Sequence, residues 1–162
     1  MTGSREKWQI EARAFHIPYT VYVHQFWALV GFDGKIIDQL HGMAVDKKSR
    51  LKAVGTPLHR IQVVSLPESA LGYQQNQPRL VCLSGNREEC KHRWQSVEQA
   101  KAEINALGLR YLLFRQNSNS VFRTLGEIMN IQIPRLGNAP GLGKILSQKI
   151  VNKYKYLFFE KA

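Results

Sequence analysis

The spacing of apolar and polar positions changes period several times along this chain, and each change marks an element. From Tyr19 to Val30 the chain is rich in β-branched and aromatic residues. In strand geometry Tyr22, His24, Phe26, Ala28 and Val30 share one face, and Val21, Val23, Gln25, Trp27 and Leu29 share the other. Both sets are largely apolar, which predicts a central strand covered on both sides. Asp33-Gly34 supplies a hairpin turn, and Lys35 to Leu40 returns as a second strand. Two further short strands are predicted over 61–66 and 80–83. Cys90, Trp94, Val97, Ala100, Ile104 and Leu107 then recur at three- and four-residue steps, the signature of a long helix. Asn86 is placed to cap that helix, with Glu89 three residues on, and Gly108 ends it.

Downstream, Tyr111-Leu112-Leu113-Phe114 reads as a short buried strand. Val121, Phe122, Leu125, Ile128 and Met129 read as one face of a helix at about 118–130. The remaining segments have weaker patterns. Residues 1–18 carry Trp8, Ile10 and Phe15 without firm periodicity and read as an arm on a single domain of residues 19–162. Residues 41–59 read as a basic surface loop and 67–78 as a polar connection. Ala139-Pro140-Gly141-Leu142-Gly143 reads as a Gly-rich turn, 144–152 as a short helix and 154–159 as a last strand. The expected architecture is α+β: one antiparallel sheet flanked by helices.

Composition narrows the class. At 162 residues, with 44% hydrophobic and 22% charged content, the chain can build one real core. No apolar stretch approaches the roughly 20 residues that span a bilayer. The first residues lack the apolar centre of a secretory signal, so the expectation is cytoplasmic synthesis, with a specialised secretion system needed for any action outside. Cys82 and Cys90 are too few for a disulfide framework and read as two buried thiols. No Cys/His spacing suggests a metal, and no cofactor is implied. The formal net charge of +11 favours anionic partners, with clusters at Lys47–Lys52 and Lys149–Lys155. Nucleic acid ranks last among these, because no recognised motif accompanies the charge and aromatics in a strand usually belong to the core.

Candidate chemistry centres on Gln116-Asn117-Ser118-Asn119-Ser120, the polar joint between the predicted strand and helix. Free N–H groups and the positive end of the macrodipole at such a joint can stabilise a developing oxyanion, which makes Ser118 a candidate nucleophile. The alternative is an ordinary helix cap. The segment from His24 to Asp38, together with Asn117-Ser118-Asn119-Ser120-Val121-Phe122, resembles circularly permuted papain-like enzymes, the lecithin:retinol acyltransferase-like group and related bacterial amidases. In that family a hairpin histidine comes first and an Asn-Cys motif opening a helix follows. The resemblance implies Ser118 as nucleophile, His24 as base and Asp38 as its orienting carboxylate. His41 is the runner-up polar group beside the base, and Gln116 and Asn117 are supporting positions, Gln116 as an oxyanion donor.

Serine stands where that family has cysteine. It marks a natural serine form, a replaced cysteine, or a relative that binds without catalysing. The implied activity is hydrolysis of an amide bond in cell-wall peptide by an exported antibacterial toxin, countered by an acidic inhibitor or immunity protein. The alternatives are lipid acyl hydrolysis or transfer, and a non-catalytic basic binding domain in which Asn117-Ser118 caps a helix and His24 is core.

Overall fold

The computed structural model describes residues 7–52, 54–67 and 74–157. Its sheet is built outward from the strand that the hydrophobic pattern marks as central. β1 (Trp8–His16), β2 (Val23–Val30) and β3 (Ile36–Val45) run antiparallel in sequence, and β2 between them is buried at every position. Gly34, at φ +78°, closes the expected hairpin between β2 and β3. The order along the sheet is β4-β3-β2-β1-β6, with β5 also pairing β3; here β4 is Leu51–Lys52, β5 is Arg60–Ser65 and β6 is Arg79–Gly85. Three helices, α1 (Arg87–Ala106), α2 (Ser118–Met129) and α3 (Gln148–Tyr154), complete the described elements of a single α+β domain. No helix among the described residues is long and apolar enough to cross a membrane.

Four expectations change. Residues 8–16 are not an arm but a strand paired on both edges, from Phe15↔His24 on one side to Trp8↔Gly85 on the other. The apolar period that would have announced β1 is broken by Glu11 and Arg13, which are buried and ion-paired to each other at 2.8 Å. The loop expected from residue 41 begins only after Val45, because β3 continues into a second set of partners, β5 and the short β4. Residues 111–114 form no strand. Leu112 and Gln116 bridge across a tight turn, with Tyr111 buried in the core and Leu113 packed against it. At the C-terminal end the last helix runs to Tyr154 and residues 155–157 are not strand; residues 158 and 159 of that expectation lie outside the described residues.

The sheet splits, and the split positions α2. β2 pairs β3 only from Trp27↔Leu40 to Val30↔Ile36, while the far half of β3 pairs β5 from Leu40↔Ser65 to Val45↔Arg60. The start of α2 fills the gap between β2 and the departing β3. Trp27 of β2 stacks on Phe122 at 4.3 Å between ring centroids and donates its indole N–H to the Phe122 carbonyl at 2.8 Å. Opposite, Gly42 lets the helix backbone reach β3. A Cβ there would lie 2.5 Å from Val121 Cβ and 2.9 Å from Ser118 Cα, and the second of these is backbone that cannot rotate away.

Gly42→Ala should therefore destabilise the fold by about 1–3 kcal/mol, the usual cost of overpacking. Thermal unfolding should move down by several degrees, at roughly 2–4 °C per kcal/mol for a chain of this size. An unchanged midpoint would show that α2 does not lean on this glycine.

Candidate functional site

The joint before α2 is the most densely bonded part of the chain. Asn117 has extended backbone and caps the helix, its side-chain oxygen accepting from the N–H groups of Asn119 at 2.8 Å and Ser120 at 3.4 Å. Ser120 returns a bond to the Asn117 N–H at 3.1 Å, completing a capping box. The Asn117 amide also donates to the carbonyls of Leu113 and Pro140, and Ser120 Oγ donates to the Gly141 carbonyl at 2.7 Å. Gly141, at φ +83°, is required here, since a Cβ would sit 2.5 Å from Asn117 Oδ1. The Gly-rich segment is thus a turn that closes against the cap.

Ser118, the first helical residue, is buried at 3% exposure with its Oγ 3.3 Å from the hydroxyl of Tyr111. Burial is the main reason the Tyr111 pKa is raised. Three of the first four N–H groups of the helix are engaged, Asn119 and Ser120 by the Asn117 side chain and Val121 by the Asn117 carbonyl. Gln116, the expected oxyanion donor, instead braces the preceding turn by donating to the Arg110 carbonyl at 3.0 Å.

The proposed base is bonded to a second histidine. Strand parity places Trp27, Leu40, Gly42 and Asp38 on the helix-covered face, and His24, Phe26, Gln39 and His41 on the opposite one. The contacts agree. His24 stacks between Phe15 and His41, at 4.7 and 5.2 Å between centroids, and Phe26 stacks on His41 at 4.3 Å, whereas Trp27 meets α2. Ser118 and His24 share no hydrogen bond: the serine hydroxyl meets Tyr111 and the imidazole meets His41. Asp38 does not orient His24 either. Its carboxylate accepts from Trp94 Nε1 at 3.0 Å, Ser65 Oγ at 2.7 Å and the Gln39 N–H at 2.8 Å, all away from the histidines.

His41 does stand beside His24, with His24 Nε2 and His41 Nδ1 3.0 Å apart and His41 Nε2 3.0 Å from Gln39 Oε1. An amide oxygen only accepts, so neutral His41 holds its proton on Nε2, and its Nδ1 accepts from His24. His24 Nδ1 has no hydrogen-bond partner among the described residues. Both rings are sealed, at 0% and 1% exposure. Burial lowers the His24 pKa to about 4; burial and then the neighbouring His24 lower that of His41 to about 2. No carboxylate offsets the desolvation of either ring. The thiols are equally unsuited to attack: burial, then Glu89, pushes Cys90 up to about 11, and half-buried Cys82 is also raised by burial.

Tyr111, Gln39 and Asn119 were missed by sequence reasoning as members of these two clusters. Parity along the hairpin was the available signal for Gln39, and the second asparagine of the Asn-Ser-Asn-Ser run was the signal for Asn119. Among the described residues no group of three or more His, Cys, Asp or Glu could hold a metal ion. No protein-family model, curated protein or solved structure matches this chain.

The two histidines make stability depend on pH in a definite direction. Their folded pKa values lie below the unfolded value of about 6.5, so the unfolded chain takes up protons first. Stability should be complete above about pH 6.5 and fall below it, by up to about 1.4 kcal/mol per pH unit for each histidine. Urea unfolding between pH 7 and pH 5 measures this, and His24→Asn should remove about half of the slope. A wild-type midpoint that is flat across this range would contradict the neutral buried pair.

Proposed function

We propose that this chain is a non-catalytic binding domain for an anionic partner. The observation that carries the reading is that Ser118 and His24 are both buried and bonded elsewhere, Ser118 to Tyr111 and His24 to His41. A serine hydroxyl must lose its proton to a base within hydrogen-bond reach, and no imidazole is bonded to this one. Papain-like amide hydrolysis, and acyl transfer from lipid by the same machinery, both need such a pair. What remains is a well-built domain with a formal charge of +11, and charge of that size attracts polyanions.

The test has a catalytic arm and a binding arm. Incubation with peptidoglycan and with phospholipid vesicles should release neither new amines nor fatty acids. Ser118→Cys should be equally inert, because a more acidic nucleophile still lacks its base. Retention on an immobilised polyanion should weaken steeply as salt rises, since exposed charges are screened within about 8 Å at physiological ionic strength. Turnover by the wild type that disappears in both Ser118→Ala and His24→Ala would overturn the proposal.

A further inference from the structure

Cations are concentrated at one end of the sheet, where the sheet ladder and an adjoining bridge set four backbone positions side by side. Leu51 pairs Val45, Val45 pairs Arg60, and Arg60 bridges Arg110. At about 4.8 Å per step these positions span about 14 Å. The turn and short strand at one side add Lys47, Lys48, Arg50 and Lys52, and the turn after Arg110 adds Arg115; every one of these side chains is exposed. Residues 44–60 and 107–116 contain a single carboxylate, Asp46. It is occupied by Arg50 Nε at 2.7 Å and by the N–H groups of Lys48 and Arg50.

Beside the cations stands an aromatic that folding does not use. Phe114 is 66% exposed at the tip of the 112–116 turn. The turn is braced from three sides, by Leu112 N–H to the Gln116 carbonyl, by Gln116 Nε2 to the Arg110 carbonyl, and by the Asn117 amide to the Leu113 carbonyl. Phe114 meets Tyr22 edge-on at 5.8 Å, and Tyr19, in left-handed backbone, is fully exposed nearby in the chain. An exposed ring on a rigid support next to arginines is a stacking platform for an unpaired base. This changes the ranking drawn from sequence, which set nucleic acid last because aromatics in strands are core. Phe114 and Tyr19 are in no strand. Of the C-terminal aromatics, Tyr154 bonds Glu103 and Tyr156 lies under Arg93.

We infer that this rim binds single-stranded nucleic acid, with Arg60, Arg110 and the 47–52 segment on phosphates and Phe114 stacked on a base. The inference rests on the anionic-partner reading and names its partner. A duplex fits less well, because its bases are stacked and paired and leave none for Phe114 to stack on. Anionic membranes and acidic proteins supply charge without a base to stack.

Fluorescence anisotropy with a labelled uridine oligonucleotide of about 20 nucleotides measures this across a salt series. Arg60→Ala/Arg110→Ala should weaken binding and flatten the log–log salt slope by about 1.4, at roughly 0.7 per phosphate contact. Phe114→Ala should weaken binding by about fivefold or more with the slope unchanged. Lys144→Ala, on the loop before α3, should leave both values alone. Phosphatidylserine vesicles and polyglutamate run in parallel. Salt-sensitive binding to either of these without binding to the oligonucleotide would overturn the inference and leave the anionic-partner reading standing. Oligonucleotide binding indifferent to Phe114→Ala, or to the double arginine change, would also overturn it. Binding to none of the three at low salt would remove both.

Discussion

One side-chain amide holds the split sheet together. Beyond Trp27 the central strand has lost β3, and a buried strand edge without partners is costly. Asn119 takes over, its oxygen accepting the Gln25 N–H at 2.9 Å and its nitrogen donating to the Val23 carbonyl at 3.0 Å. The Asn138 carbonyl completes the edge by accepting the Val23 N–H at 2.9 Å. Asn119 thus works as a short surrogate strand carried on the first turn of a helix. Because it can do so only if α2 enters the gap, the cap at Asn117, the glycine at position 42 and the turn at Pro140–Gly141 all serve the same placement.

The opposite face shows how polar groups can fix a register. Glu11 and Arg13 form an ion pair at 1% and 3% exposure, with Gln77 and Arg79 adding bonds from the β6 side, and the His24–His41–Gln39 chain lies across the neighbouring strands. Such networks add little stability over an apolar core, and leaving one member unmatched is expensive. A one-residue slip of β2 or β3 would carry the histidines under the helices and bring Trp27 or Leu40 among the polar groups. The buried polar line therefore specifies pairing.

Much of the fold was legible because its signals are local. The β2–β3 hairpin, both long helices, and the caps at Asn86 and Asn117 follow from period and turn chemistry within a few residues. β1 was hidden because Glu11 and Arg13 occupy core positions, and only their pairing makes that tolerable. The continuation of β3 was hidden because Gly42 and His41 resemble loop residues until a helix backbone and a partner imidazole are placed against them. The partners of the candidate site residues were not legible: Ser118 meets Tyr111 and His24 meets His41. Phe26 and His24 share a side, Trp27 is on the other, and the helix side is set by where α2 docks, an interaction between segments more than 90 residues apart. No local pattern contains that information.

The position of β1 also orders events while the chain is being made. One of its edges is met within a few residues by β2, but the other waits for β6, from Arg13↔Arg79 to Trp8↔Gly85. Until that segment emerges, the growing chain carries an open edge on a strand whose inner face is already apolar, the condition that invites pairing with a neighbour. The late strand is short and amphipathic and ends on the capping asparagine of α1, so closing the edge and starting the longest helix are one event. A nascent chain of this sequence is at its most vulnerable between the emergence of β2 and that of β6, and its need for chaperones should be greatest there.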